Sequence, residues 1–329
     1  MSEPARLNPG IDPGVRAFLA DWELAWSVLP PDAGHGERRL LFEQIALAQR
    51  QPTPPDIAVG ECFAPHGAGF VRMRVFRPRG VAPVPAVLMM HGGAWMEGSP
   101  ETHWDTAVAV AAHCRAAVFS IDYALTPEHP FPVAIEQCTS VARWVHAQAG
   151  TLGILPSRIA VWGDSAGGNL AAALTLAMRH AGVPLTAQVL VYPALGFDRN
   201  RPSYRENADG PVVLVRHMDH VDGLYCRRPE DRQHPLAAPL LARNHAGLPP
   251  AMIAVAQFDP LRDDGVAYAE ALQAAGVPVR LHRGAGLTHA YLRAVPRSAA
   301  ARAALQECLD WLRVALQAAG EPLTDAVAP

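Results

Sequence analysis

The stretch Val161-Trp-Gly-Asp-Ser-Ala-Gly-Gly-Asn-Leu170 decides the fold of this chain. An apolar run ends at Trp162, and a stretch rich in alanine and leucine with helical character begins at Gly167. Between them, Gly163-x-Ser165-x-Gly167 supplies the small residues that a sharp strand-to-helix turn needs. Such a turn exposes a serine hydroxyl at a helix N-terminus and leaves the next amide free to donate. The segment therefore predicts a nucleophile elbow at Ser165.

On both sides of this elbow, short apolar runs alternate with longer helical segments. The apolar runs lack polar alternation, which is typical of strands covered on both faces. The pattern predicts an α/β fold: a mostly parallel sheet of about eight strands flanked by helices, with an antiparallel pair at its leading edge. The predicted strands are 57–62, 70–76, 85–90, 116–121, 158–162, 187–191, 251–255 and 277–281. The predicted helices are 102–114, 133–149, 167–180, 263–275 and 298–316.

Two segments break the alternation and are predicted to form a helical cap. Residues 14–50 have helical patterning but no strand beside them, and residues 197–241 interrupt the alternation between two strands. Long segments of this kind are usually lids or binding elements. We therefore expect an N-terminal cap segment (1–55) and a cap insertion (197–241), over a core formed by residues 56–196 and 242–329.

A second motif, His91-Gly-Gly-Ala-Trp95, follows the apolar run that ends at Met90. Glycines let the main chain approach a substrate closely, and N–H groups of a loop at this position can form an oxyanion hole. His91 precedes the donor amides, so we expect it to hold the loop and not to act as a base. The predicted donors are the amides of Gly92, Gly93, Ala94 and Ala166.

An acid and a histidine follow the elbow in the chain order Ser, Asp, His. Asp259 and His289 each follow a predicted strand, so both fall at strand carboxyl ends, on the same side of the sheet as Ser165. We predict that His289 takes the proton of Ser165. Asp259 would fix the tautomer of His289 and stabilise the imidazolium.

Alternative interpretations exist for both residues. Asp259 precedes Pro260, as turn and helix-capping aspartates often do, and Asp263 and Asp264 are rival acids nearby. His289 is one of 14 histidines and could lie in a surface loop. The chain order and the two strand ends favour the catalytic interpretation.

Together these motifs resemble the hormone-sensitive-lipase-like branch of the α/β-hydrolases, bacterial esterases with a G-D-S-A-G elbow. Two positions depart from the family's pattern. Ala94 stands where H-G-G-G has its third glycine, and Ala124 replaces the usual arginine. Alanine keeps its N–H, so the hole should persist in a narrower site. The resemblance runs through most of the chain and includes His91-Gly-Gly-Ala94, Asp122-Tyr-Ala-Leu-Thr-Pro-Glu128, Gly163-Asp-Ser-Ala-Gly167, Asp259-Pro-Leu-Arg-Asp263, and His289 with Tyr291.

The resemblance implies a serine carboxylesterase that hydrolyses short-to-medium acyl esters through an acyl-enzyme intermediate. It implies no metal and no organic cofactor, and His217-x-x-His220 has no cysteine or acidic cluster beside it that would suggest a metal site. The candidate residues of the substrate pocket are Trp95, Phe18, Trp22 and Asp164. For the three aromatic residues the alternative is plain packing, and for Asp164 it is a hydrogen bond within the turn.

Two other functions fit the same residues. One is an amide hydrolase of the arylformamidase type, and the other is a non-catalytic small-molecule receptor on the same fold. Receptor relatives typically lose a member of the triad, whereas all three candidates are present here. The sequence therefore favours an enzyme.

Composition excludes further classes of protein. The chain has 329 residues and a formal net charge of −3, and lysine is absent. The chain lacks the excess of basic residues that is typical of a nucleic-acid binder. Its five scattered cysteines, without a C-x-x-C pair, favour a reducing compartment. The sequence has neither a secretory signal nor an apolar run that would span a bilayer. We therefore expect a cytoplasmic monomer or homodimer that acts on a small-molecule ester, without nucleic-acid partners.

Overall fold

An eight-stranded sheet forms the centre of the computed structural model, which describes residues 8–30, 32–80 and 82–318. The strands are β1 (Ile57–His66), β2 (Gly69–Pro78), β3 (Val84–Met90), β4 (Ala117–Ile121), β5 (Ile154–Asp164), β6 (Gln188–Val191), β7 (Ala251–Ala254) and β8 (Val279–His282). Their spatial order is β1-β2-β4-β3-β5-β6-β7-β8. β2 is antiparallel to both of its neighbours, and all pairings from β4 to β8 are parallel. The predicted fold class is confirmed.

Helices cover both faces of the sheet. In the described ranges they are α1 (Pro13–Trp26), α2 (His35–Gln49), α3 (Trp104–Cys114), α4 (Val133–Ala147), α5 (Ala149–Leu152), α6 (Ala166–His180), α7 (Pro202–Glu206), α8 (Val215–Tyr225), α9 (Arg262–Ala274) and α10 (Ala299–Gln317). Short 3-10 helices occupy Pro229–Gln233, Pro239–Leu241 and Tyr291–Ala294. None of the helices described is both long and apolar enough to cross a membrane.

The core consists of two apolar clusters, one on each face of the sheet. Along β3, Leu88 and Met90 belong to the cluster beneath α4, α6 and α9, whereas Val87 and Met89 belong to the cluster beneath α1, α3 and α10. This division follows from the period of two of a strand, which points successive side chains to opposite faces. Each large apolar side chain buried in this way contributes about 1.5–3 kcal/mol to folding.

Some element boundaries differ from those predicted. The predicted helix 133–149 ends at Ala147, and α5 follows as a separate short helix that stops at Gly153, which is left-handed (φ 59°). β1 and β2 are longer than predicted because they pair over ten residues each around the tight turn at Gly67. Local antiparallel pairing extends both strands without requiring an apolar pattern at the added positions.

The two segments that break the alternation are helical. α1 and α2 lie in the N-terminal segment and join through Trp22 and Phe42, whose rings are 5.7 Å apart. Residues 197–241 contain α7, α8 and two 3-10 helices. Residues 1–7 of the expected cap segment and 319–329 of the expected core lie outside the described residues.

Helix α6 begins unusually close to the end of β3. A Cβ atom on Gly167 would overlap the carbonyl oxygens of Met90 and His91. Only glycine lets the first turn of α6 approach the main chain this closely. The contact brings the residue after the predicted nucleophile beside the predicted oxyanion loop.

We expect Gly167→Ala to lower the free energy of unfolding by about 1–3 kcal/mol, because the added methyl group has no room between α6 and β3. Gly36→Ala is the matched control, since a Cβ there meets nothing within 4 Å. That substitution should leave stability unchanged or raise it by up to about 1 kcal/mol. Urea unfolding of both variants measures the difference, and equal stabilities would contradict the packing argument.

Candidate active site

Ser165 occupies the turn between β5 and α6 in a strained backbone conformation. Its φ is 55° and its ψ is −118°, a region that L-residues rarely adopt. The turn is fixed by its own main chain: the Ser165 N–H donates to Val191 O (2.9 Å), and its carbonyl accepts from Asn169 N (3.0 Å) and Ala194 N (3.2 Å). The hydroxyl is thereby held at the carboxyl end of β5, at the N-terminus of α6.

His289 and Asp259 lie on the loops that follow β8 and β7. A parallel bridge between Phe258 and Thr288 continues the ladder of these two strands beyond their ends. Because each bridge partner directly precedes one of the two candidates, the ladder sets Asp259 beside His289. The predicted acid and histidine are therefore brought together by strand register.

A continuous hydrogen-bond chain links the three predicted residues. The Ser165 hydroxyl donates to His289 Nε2 across 2.9 Å, and His289 Nδ1 donates to Asp259 Oδ2 across 2.7 Å. Asp259 is fully buried, and its second oxygen accepts from Leu261 N (2.9 Å). A carboxylate held on both oxygens has a fixed orientation, which in turn fixes the imidazole ring and its tautomer.

The rival acids point elsewhere. Asp263 accepts from Ser203 N (2.9 Å) and pairs with Arg262. Asp264 pairs with Arg201 (3.1 Å) and accepts from Tyr204 (3.1 Å), and burial raises its pKa to about 7. Neither carboxylate contacts His289.

Ser203 of α7 forms hydrogen bonds with the loop that carries Asp259. Ser203 is fully buried, and its hydroxyl donates to Pro260 O (2.6 Å). The same hydroxyl accepts from Asp263 N (3.2 Å), and the Ser203 N–H donates to the carboxylate of that residue. Sequence reasoning did not identify Ser203, because nothing in its local pattern shows that it will meet a loop 57 residues away.

The predicted oxyanion loop needs one correction. The Gly92 N–H donates to Asp164 Oδ1 (3.0 Å) and faces His103 Nε2 (3.2 Å), so it does not face a substrate. Among the hydrogen bonds of the described residues, the N–H groups of Gly93, Ala94 and Ala166 have no protein acceptor. The candidate donors are therefore reduced to these three.

Main-chain geometry explains why the loop turns where it does. Gly93 (φ 127°) leaves no room for a Cβ, which would overlap Glu97 O, and Ala94 (φ 54°) and Trp95 (φ 57°) are both left-handed. His91 is fully buried and stacks on Tyr123, with ring centroids 4.2 Å apart.

Burial lowers the pKa of His91 to about 3, so its ring is neutral at neutral pH. Its Nδ1 lies 2.9 Å from Gly92 O, to which it donates. Because the buried ring contacts the main chain of the loop, it supports that loop and is not available as a base.

The four predicted pocket residues do not form one pocket. Phe18 is buried against Trp22, and Trp22 packs on Phe42. Trp95, which directly follows the candidate donor Ala94, stacks on Tyr225 of α8, with ring centroids 4.2 Å apart. Phe18 and Trp22 therefore pack against other aromatic side chains of α1 and α2.

Asp164, the fourth candidate, is buried, and its carboxylate bonds to the oxyanion loop. Tyr192 OH also donates to it, across 3.4 Å. Its side chain thus ties the elbow to the neighbouring loop. In the part of the chain that the structure describes, no three His, Cys, Asp or Glu side chains are grouped to hold a metal ion.

Comparison with known proteins identifies the family of the chain. Residues 87–293 match a family model described as "alpha/beta hydrolase fold". Esterase LipI of Mycobacterium tuberculosis is 40% identical over 272 residues, which cover 81% of this chain and 85% of the relative. Carboxylesterase NlhH of the same organism is 37% identical over 302 residues, which cover 89% and 92%.

A solved structure is similar over nearly the whole chain. The thermostable esterase from Pseudomonas putida superposes with a TM-score of 0.87 at 31% identity, covering 94% of this chain and 99% of that one. Each of these proteins is an esterase by name, and each is similar to this chain well beyond the elbow. The chain therefore belongs to the alpha/beta hydrolase family, in its hormone-sensitive-lipase-like branch, and is a carboxylic ester hydrolase.

Proposed function

We propose that Ser165, His289 and Asp259 hydrolyse carboxylic esters through a covalent acyl-enzyme. The observation that carries this proposal is the unbroken hydrogen-bond chain from Ser165 Oγ through both nitrogens of His289 to Asp259 Oδ2. A serine hydroxyl becomes a strong nucleophile when a neutral imidazole accepts its proton during attack.

In the first half of the reaction, Ser165 Oγ attacks the ester carbonyl carbon while its proton passes to His289 Nε2. The carbonyl π bond opens, and the resulting oxyanion carries the negative charge. When the carbonyl re-forms, the bond to the alcohol oxygen breaks, and His289 gives its proton to the leaving alcohol. Asp259 stabilises the imidazolium throughout and stays ionised.

In the second half, water takes the place of the alcohol. His289 removes a proton from the water as it attacks the acyl carbon, and the second oxyanion collapses with release of Ser165 Oγ. The proton returns from His289 to Ser165, and the carboxylic acid leaves. The net reaction is an ester plus water giving an acid plus an alcohol.

The oxyanion is stabilised by the N–H groups of Gly93, Ala94 and Ala166. Their freedom from protein acceptors supports this role, since a donor already bonded elsewhere gives nothing to a transition state. Loss of one such donor typically costs about 2.7–4 kcal/mol of transition-state stabilisation. The methyl group of Ala94 leaves its N–H in place.

The substrate is a short-to-medium acyl ester held beneath a cap formed by α1 and α2 of the N-terminal segment and by residues 197–241. Support comes from the aromatic stack of Trp95 and Tyr225, which joins the oxyanion loop directly to α8. Phe131 meets Tyr225 edge-on at 5.8 Å and extends this wall. Because Trp95 directly follows Ala94 in the chain, we expect these rigid rings to limit the length of the acyl chain.

We expect Ser165→Ala to reduce hydrolysis of p-nitrophenyl butyrate on the order of 10⁵-fold or more, because no other nucleophile replaces the hydroxyl. Ser157→Ala is the control, since Ser157 is exposed and lies near the start of β5, at the other end of the strand from Ser165. Steady-state kinetics on both variants, with thermal unfolding to verify folding, measure the effect. Retention of most activity by Ser165→Ala would overturn the proposed mechanism.

Asp259→Asn should lower kcat on the order of 10⁴-fold, because an amide no longer fixes the tautomer of His289 or balances the imidazolium charge. Asp263→Asn serves as its control and should stay within about tenfold of the parent, since Asp263 bonds to Ser203 and Arg262 instead. If the two losses were reversed in size, the acid would be Asp263.

A series of p-nitrophenyl esters from acetate to laurate should give the highest kcat/KM at acetate or butyrate and a fall of at least about tenfold by laurate. Tyr225→Leu removes one ring of the aromatic wall and should move the optimum toward longer chains. An optimum at laurate in the parent would contradict the short-to-medium assignment. Faster turnover of N-formylkynurenine than of every ester would point to the arylformamidase type instead.

A further inference from the structure

Three polar side chains that the proposed triad does not use meet behind the elbow: His103 and Asp164, which are buried, and Arg293, which is half-buried. His103 Nδ1 lies 2.8 Å from Thr102 Oγ1. The Thr102 hydroxyl donates its hydrogen to Ser99 O (2.8 Å), so its oxygen must accept from the ring. The proton of His103 is therefore on Nδ1.

The other nitrogen of this ring faces the oxyanion loop. His103 Nε2 lies 3.2 Å from Gly92 N and 3.3 Å from Arg293 Nη2, and both of these groups are donors. Asp164 Oδ1 lies at 3.3 Å and accepts from the same Gly92 N–H. The imidazole and the carboxylate thus share one main-chain donor, directly before the amides of Gly93 and Ala94.

Arg293 closes this cluster against the N-terminal helices. Its Nη1 donates to Thr102 O (3.2 Å), and its guanidinium lies 4.4 Å from the ring of Phe42 and 5.5 Å from that of Trp22. The guanidinium is therefore held between aromatic rings of α1 and α2 on one side and the main chain of the core on the other.

We infer that Arg293 and His103 are positioning residues that hold the oxyanion loop in register with Ser165 and connect its position to the packing of α1 and α2. The inference rests on the proposed function, because it concerns the geometry of the proposed oxyanion hole. Gly92 is the residue through which the cluster acts. A rotation of its peptide moves the next two N–H groups, which are effective only when about 2.7–3.1 Å from the oxyanion.

This placement gives the cluster a characteristic kinetic effect. When the donors are displaced by a fraction of an ångström, the enzyme loses more stabilisation of the transition state than of the bound substrate. Loss of Arg293 or His103 should therefore lower kcat and leave KM nearly unchanged. The affinity for a trifluoromethyl ketone, which forms a tetrahedral adduct with the serine, should fall in parallel with kcat/KM.

The first test is Arg293→Ala, with Arg77→Ala as the matched control. Arg77 is also half-buried and donates to two main-chain carbonyls, those of Leu152 and Gly153. We expect Arg293→Ala to lose about 10- to 100-fold in kcat with KM within about threefold of the parent, and Arg77→Ala to keep its kinetics.

A cavity of about 380 Å³ allows a chemical rescue. It is lined by Arg293, His103 and Asp164 and lies between α2, α3 and the start of α10. Millimolar guanidinium ion should enter the space vacated in Arg293→Ala and restore kcat severalfold. The same salt should leave the parent and Arg77→Ala unchanged.

A second pair of variants tests the imidazole independently of whether Arg293→Ala folds. In His103→Gln the amide oxygen replaces Nε2 as an acceptor, so kcat should stay within about tenfold of the parent. His103→Leu removes the acceptor and should lose kcat as Arg293→Ala does. Equal kinetics for the two His103 variants would overturn the inference.

Other results would also overturn the inference. These are a folded Arg293→Ala with kcat within about threefold of the parent, a loss confined to KM, or a loss that guanidinium does not reverse. Ser165→Ala in the same assay separates the two proposals. Its inactivity leaves the proposed function standing even when the positioning role fails, whereas its activity would remove the proposed function itself.

Discussion

The close approach of α6 to the end of β3 at Gly167 is the contact on which the geometry of the site depends. β3 and β5 are paired neighbours, and their register sets Met90 opposite Gly163. The loop that leaves β3 and the turn that leaves β5 therefore start about 4.8 Å apart, the ordinary spacing of strands in a sheet. Because Gly167 lets the helix lie directly on the β3 main chain, the amide after the nucleophile lies beside the loop amides. This contact brings the proposed nucleophile close to its donors, and the inferred role of His103 and Arg293 is to hold the loop in its final orientation.

Sequence patterns predicted the candidate residues that lie at strand ends, because position along a strand sets position in the sheet. Ser165, Asp259 and His289 each follow an apolar run, and parallel strands place such residues on one edge. The role of Gly92 was not visible in the same way. The letters His-Gly-Gly-Ala do not show which N–H points outward, and here the carboxylate of Asp164 takes the first one.

His103 and Arg293 escaped sequence reasoning for a related reason. They meet across 190 residues of chain, and neither residue type is unusual where it stands. Trp22 is a pocket candidate from the sequence, with plain packing as the alternative. A neighbouring guanidinium and the ring of Phe42 account for its position instead. Contacts between distant segments, and not local patterns, decide such roles.

The buried carboxylate of Asp164 directly precedes the proposed nucleophile, so its charge matters for the chemistry. Its Oδ1 accepts from the Gly92 N–H and its Oδ2 accepts from the Tyr192 hydroxyl, as a carboxylate anion does. An isolated anion there would oppose the oxyanion that develops nearby, whereas the guanidinium of Arg293 balances it within the same cluster.

Each proposed cap segment contacts a different part of the site. Helices α1 and α2 contact the oxyanion loop through Arg293, and α7 contacts the loop of Asp259 through Ser203. On the proposed function, a change in the packing of either segment should therefore affect the reacting groups as well as the pocket.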